Sequence, residues 1–238
     1  MNENLKTMKE KLKYKCLVLD HDDTVMDSTT HVHYPSFLIA LRELRPGVTI
    51  SLEDYFRVNF EPGFLPYCTG VLGLTDGELD RELEIWKDYV KDHIPKVFPG
   101  MAEIIRRQKA LGGLVCVVSH SFDFNIRRDY AANSLPQPDL IYGWELPLDI
   151  RKPHPWALEQ IMERYGLQPD ELLMVDDLKP GYDMACAAGV PFAAACWACD
   201  VPEIRAFMQK NCERAYTDPA QLEAFLFGDA DGISDCTL

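Results

Sequence analysis

The 238-residue sequence has no apolar run long enough to span a bilayer, and Met1 to Lys15 alternates lysine with polar residues where a signal peptide would carry an apolar core. A cytoplasmic chain with no membrane partner is the expectation. Positive charge is scarce: 24 Lys and Arg against 38 Asp and Glu give a formal net charge of -14. Binding to a phosphate backbone needs clustered cations, so nucleic acid is not an expected partner. Internal repeats and low-complexity tracts are missing too. A disulfide framework is not expected from the 8 cysteines, because Cys16, Cys116 and Cys186 sit inside apolar patterns and read as small core residues. Cys196-Trp197-Ala198-Cys199 has the spacing of a redox pair or half a zinc site, but no second such pair completes it.

Short apolar runs recur at Cys16 to Leu19, Leu114 to Val118, Leu140 to Tyr142, Leu172 to Val175 and Phe192 to Cys196. Helical patterns separate most of them, as at Met101 to Leu111, Trp156 to Tyr165 and Tyr182 to Ala188. This alternation implies an α/β fold: an open parallel sheet with helices on both faces, whose ligand sits beyond the carboxyl ends of the strands. Between Ser28 and Lys96 the alternation stops. Helical stretches such as Ser36 to Leu44 and Asp76 to His93 fill the interval, with turns at Arg45-Pro46-Gly47 and Glu61-Pro62-Gly63 and no convincing buried strand. An insertion there overhangs the loop after the first strand and reads as a cap. Phe98-Pro99-Gly100 marks the return of the chain.

That loop, Asp20-His21-Asp22-Asp23-Thr24, directly follows Cys16-Leu17-Val18-Leu19. Two carboxylates at the end of a buried strand are costly unless a cation or a reaction uses them. If the strand period continues, Asp20 and Asp22 lie on one side of the chain, where one can attack and the other can move protons. Further polar groups stand at other strand ends or helix starts: Ser119 with His120 and Ser121 behind it, Arg151-Lys152-Pro153, and Asp176-Asp177. Together they read as a phosphate site. A phosphoryl group brings about two negative charges, so attack by a carboxylate calls for a cation. Mg2+ prefers hard oxygen ligands, which Asp20, Asp176, Asp177 and a main-chain carbonyl of the first loop can supply. Lys152 would offset the remaining charge, and the Ser119 hydroxyl and loop N–H groups would bind phosphoryl oxygens.

These motifs, in this order, resemble the haloacid dehalogenase-like (HAD) superfamily of phosphatases. Leu17 to Thr24 matches its Asp-x-Asp-x-Thr motif, Leu114 to Ser119 its strand ending in Ser or Thr, Lys152-Pro153 its lysine motif and Val175-Asp176-Asp177 its acidic motif. The run Gly181 to Gly189 is similar to the helix that follows the acidic pair in the phosphoglycolate phosphatase and beta-phosphoglucomutase branch, and the resemblance covers Tyr14 to Ala198. It implies a Rossmann-like core of strand order 3-2-1-4-5 over residues 13–27 and 97–227. A helical C1 cap would occupy residues 28–96, and terminal extensions residues 1–12 and 228–238.

By the same resemblance Asp20 is the nucleophile that becomes aspartyl phosphate, and Asp22 is the acid/base whose carbonyl also meets Mg2+. Thr24 supports the loop, Ser119 and Lys152 hold the phosphoryl group, and Asp177 with Asp176 completes the metal site. The chain departs from the family at His21, where an apolar residue is usual, and at Asp23, where Gly is commonest. His21, pointing at the leaving group, and His120 join Ser119 and Lys152 as candidate substrate-binding residues. His31-x-His33 is either a metal pair without a third ligand or part of the pocket lining, and Phe64, Tyr67 and Thr69 are candidates for specificity. The expected activity is Mg2+-dependent hydrolysis of a small phosphorylated metabolite by a monomer or homodimer. A sugar phosphomutase and a silent phosphate-binding protein are the alternatives, while Asp22 argues against dehalogenation.

Overall fold

The computed structural model describes residues 12–228. The expected extensions, residues 1–12 and 228–238, fall outside it except for Leu12 and Gly228. The strands are β1 (Cys16–Leu19), β2 (Met26–Asp27), β3 (Lys96–Val97), β4 (Leu114–Val118), β5 (Leu140–Tyr142), β6 (Leu172–Asp176), β7 (Phe192–Ala195) and β8 (Ala215–Tyr216). Six of them form a parallel sheet in the order β5-β4-β1-β6-β7-β8. The first five core strands thus follow 3-2-1-4-5, and β8 adds an edge strand that its two residues left unread in the sequence.

The helices are α1 (Tyr34–Leu44), α2 (Leu52–Phe60), α3 (Phe64–Pro66), α4 (Asp76–Asp92), α5 (Met101–Ala110), α6 (Asp123–Ala132), α7 (Trp156–Tyr165), α8 (Lys179–Ala188), α9 (Pro202–Asn211) and α10 (Pro219–Phe227). Alternate residues of β1 feed opposite cores, as strand geometry requires. Leu17 and Leu19 pack with Ile104, Ile105, Ile126 and Leu222 from α5, α6 and α10. Cys16 and Val18 pack with Leu158, Ile161, Met184 and Met208 from α7, α8 and α9. All four β1 side chains are buried, each large one contributing about 1.5–3 kcal/mol, which explains why this strand reads as an unbroken apolar run.

The segment between β2 and β3 is helical and has its own core of Phe37, Leu41, Ile50, Tyr55, Cys68 and Leu74. Phe64 and Tyr67 pack against that core, with both rings on Phe37, so they serve packing. The longest helix, α4, starts at a capping box: Thr75 accepts from Glu78 N while Glu78 accepts from Thr75 N at 2.9 Å. The insert joins the sheet domain through the short antiparallel pair β2–β3, in which Met26 faces Val97. Asn133, at the end of α6, braces this hinge by accepting from Val97 N and donating to Pro95 O, each at 3.0 Å. A second contact lies at α9, where Phe56 packs on Val201 and Ile204, and Phe60 meets Phe207 edge-on.

Gly181, near the start of α8, lies directly beneath Asp176, and a Cβ there would collide with the Asp176 carboxylate. Gly181→Ala is therefore expected to destabilise the fold by roughly 1–3 kcal/mol. Gly77→Ala on α4, where a Cβ meets nothing within 4 Å, is expected to be neutral or stabilising by up to about 1 kcal/mol. Urea denaturation of the two variants checks the contrast.

Candidate active site

Because β1, β4 and β6 run parallel and in register, Leu19 lies opposite both Val117 and Val175. Just beyond them, Asp20, Ser119 and Asp176 reach the same edge of the sheet, and Asp20 N donates to Val175 O at 2.9 Å. Carboxylate oxygens of Asp20, Asp176 and Asp177 lie within 4.8 Å of one another, and all three residues are buried. Lys152, from the loop before α7, bridges two of them: its Nζ donates to Asp20 Oδ1 at 2.9 Å and to Asp176 Oδ2 at 2.7 Å. Its side chain is 5% exposed. Burial opposes its charge, but the Asp176 and Asp20 carboxylates outweigh that and raise its pKa.

One ammonium does not balance three carboxylates. Burial, only partly offset by Lys152, pushes the Asp176 carboxyl up to about 7. Burial together with the neighbouring Asp176, Asp23 and Asp20 charges raises Asp177 well above the ordinary range. An all-oxygen donor set with surplus negative charge fits a hard divalent cation. Thr24 supports the triad, its hydroxyl donating to Asp177 Oδ1 at 3.3 Å.

The loop is held in place by its own chemistry. Asp23 has φ +57° and is buried, a left-handed conformation that Gly adopts freely and that Asp tolerates with local hydrogen bonding. Here Asp23 N donates to Met26 O at 2.7 Å, and Asp23 Oδ1 accepts from Thr29 N at 3.0 Å. Trp197 Nε1 donates to Thr24 O at 3.2 Å. This tie gives Cys196 to Cys199 a bracing role, and burial lifts the two thiols to about 11 and about 12, away from thiolate chemistry.

Asp22 faces the insert. Its Oδ1 lies 2.8 Å from His33 Nε2, and its Oδ2 accepts from the Ser121 hydroxyl. Trp86 Nε1 on α4 donates to His33 Nδ1 at 3.0 Å. An indole only donates, so Nδ1 accepts and Nε2 carries the proton given to Asp22. A wide turn at Thr29–His33, in which His33 N reaches back five residues to Ser28 O at 3.2 Å, sets the phase that brings this imidazole to the loop. Burial works against the Asp22 charge, but His33, His21 and Ser121 hold its carboxyl below the ordinary range.

The remaining sequence candidates divide. Ser119 is buried, its Oγ accepting from Ser121 N at 3.1 Å. His120 lies beside Lys152, its Nε2 3.2 Å from the Lys152 carbonyl oxygen. His21 does not join them: it is fully buried behind the loop, with Nε2 3.1 Å from Asp129 Oδ2 and its ring on Tyr130. Residues from α6 thus claim the side chain that was expected at the leaving group. His31 pairs with Asp27 at 3.2 Å while His33 meets Asp22, so the two histidines form no common site. Thr69 is exposed and donates to Leu65 O. Trp86 and Asp129 escaped the sequence reading, because only the tertiary fold brings them to the loop.

The haloacid dehalogenase-like hydrolase profile matches residues 14–189. A phosphoglycolate phosphatase of Mesorhizobium japonicum is 28% identical over 180 residues, covering 74% of this chain and 77% of that protein. The fold is shared with a predicted phosphoglycolate phosphatase from Haemophilus somnus, at TM-score 0.71 and 20% identity over 90% of this chain and 98% of the other. It is also shared with a HAD family hydrolase from Deinococcus radiodurans holding phosphate and sodium, at TM-score 0.68 and 19% identity over 90% and 96%.

The raised carboxyl groups set the sign of a pH effect. Asp176 moves from 3.8 to about 7 and Asp23 from 3.8 to about 6, so the fold retains protons that the unfolded chain releases. Metal-free protein is expected to lose stability as pH rises from about 4 to about 7, and Mg2+ is expected to restore most above that window. Thermal melts with and without Mg2+ check this. A metal-free melting temperature that climbs with pH, or no Mg2+ effect near the top of the range, contradicts it.

Proposed function

The chain belongs to the haloacid dehalogenase-like hydrolase family, and we propose that it is a Mg2+-dependent phosphatase acting on a small phosphate monoester through an aspartyl phosphate at Asp20. The observation that carries this reading is the buried Lys152 bridge between Asp20 and Asp176 beside Asp177. A lysine so placed holds the Asp20 carboxylate by a hydrogen bond and presents positive charge where phosphoryl oxygens arrive. The carboxylates of Asp20, Asp176 and Asp177, with the Asp22 carbonyl, would hold Mg2+, which when bound neutralises charge on the transferring group.

In the proposed first step Asp20 attacks phosphorus, the P–O bond to the leaving alcohol breaks, and Asp22 gives that oxygen a proton. In the second, Asp22 takes a proton from water as the water attacks the acyl phosphate, releasing phosphate and restoring Asp20. Both Asp22 oxygens accept hydrogen bonds in the described arrangement, which is its base form. The acid form exchanges one of those bonds for the leaving oxygen. Ser119 and Lys152 hold phosphoryl oxygens, and the helical insert closes over the loop and excludes water. A mutase is not favoured, since the curated relatives carry phosphatase names.

With p-nitrophenyl phosphate, activity is expected to require Mg2+ and to fall on the order of a thousandfold or more in Asp20→Asn; full activity in that variant would sink the mechanism. His33→Ala should cost alkyl phosphates about tenfold more in kcat than p-nitrophenyl phosphate, whose leaving group needs little protonation. Equal losses on both would separate His33 from the acid/base step.

A further inference from the structure

Glu82, on α4, is a buried carboxylate that the proposed reaction does not use. It is 9% exposed. Among the described residues it has neither a hydrogen-bond partner nor an ion pair, although a buried carboxylate without one is costly. It precedes Trp86 by one helical turn, which puts both on the face of α4 that meets His33. Its charge acts on His33 and on Tyr55, and Tyr55 in turn feels Asp23 of the loop. Glu82 therefore shares a helix face with the Trp86 ring, whose partner His33 meets Asp22 of the loop. Burial pushes its carboxyl up to about 7, only partly countered by His33.

Apart from His33, which is taken up by Asp22, the insert offers no compensating cation on that face. Arg45 is clamped on Glu78, Arg57 on Glu53 and Asp54, and Arg81 on Glu43, while Lys91 pairs with Asp88 and the other insert lysines and arginine are exposed. The Lys152 ammonium is already committed at the phosphoryl end.

We propose that Glu82 determines specificity by receiving a hydrogen-bond donor at the end of the substrate remote from the phosphate, so that the enzyme takes phosphate esters with hydroxyl or ammonium tails and rejects those with carboxylate tails. The inference rests on the phosphatase reading. Above its raised pKa of about 7 Glu82 is ionised, and there a donor satisfies the carboxylate, whereas a carboxylate tail meets a like charge in a site that shields it poorly. The preference thus opposes the one suggested by the relatives named phosphoglycolate phosphatase.

The test uses the full chain with Mg2+ and compares kcat/KM for glycerol 3-phosphate, phosphoethanolamine and phosphoglycolate. Wild type is expected to favour at least one donor-tailed substrate over phosphoglycolate by about tenfold or more. The glycerol and ethanolamine arms tell a hydroxyl from an ammonium. Glu82→Gln, with folding checked by circular dichroism, should shift the ratio toward phosphoglycolate by about tenfold, and Glu82→Lys should shift it further. Wild-type preference for phosphoglycolate overturns the proposal, as does an unchanged ratio in folded Glu82→Gln. Absence of Mg2+-dependent turnover of p-nitrophenyl phosphate overturns the phosphatase reading and this proposal with it. Turnover of that tail-less ester with the wrong tail preference overturns this proposal alone.

Discussion

Negative charge concentrated at the carboxyl ends of β1 and β6 is the constraint on which the site depends. Asp20, Asp176 and Asp177 are buried within reach of one another, and such a group cannot remain ionised in a protein interior without a counter-charge. Lys152 supplies one positive charge, bridging Asp20 and Asp176 with short hydrogen bonds. The deficit that remains explains why the Asp176 and Asp177 carboxyl groups are pushed up, and it is the physical argument for a divalent cation. Gly181 belongs to the same arrangement: only a residue without a Cβ lets α8 start so close to Asp176.

A second arrangement faces the insert. Asp22 turns away from the Lys152 pair toward His33 and Ser121, and Trp86 on α4 settles which imidazole nitrogen carries the proton. The proposed nucleophile thus belongs to the sheet, while its proposed proton-transfer partner is oriented by the helical segment between β2 and β3. Motion about the Asn133-braced hinge would carry His33 and Trp86 together. Asp22 would then be set up for proton transfer only with the insert in place, a coupling of closure to chemistry with a definite chain of contacts.

How much of this was legible in the sequence depends on whether the signal was local. β1 was readable because both faces of a central parallel strand are apolar, and the Asp20 loop because carboxylates rarely end such a strand without a use. Asp23 departed from the expected Gly, and its left-handed backbone, held by Met26 O and Thr29 N, shows how Asp meets the same demand. The place of His21 is not legible in the sequence, because it is set by α6, a helix whose buried Asn125 and Asp129 obscure its periodicity. That helix supplies Asp129 and Tyr130 to His21 and draws it out of the site. The Trp86–His33–Asp22 chain joins residues 53 and 11 positions apart, a separation at which spacing alone carries no information.

Asp20, held by Lys152, is the residue proposed to take the phosphoryl group. The most direct measurement is rapid quenching of the Mg2+-loaded enzyme during turnover, borohydride reduction of any acyl phosphate to the alcohol, and peptide mass spectrometry. Reduction is expected at position 20, dependent on substrate and lost in Asp20→Asn. Steady turnover with Asp20 unmodified, or modification at Asp22 instead, would contradict it.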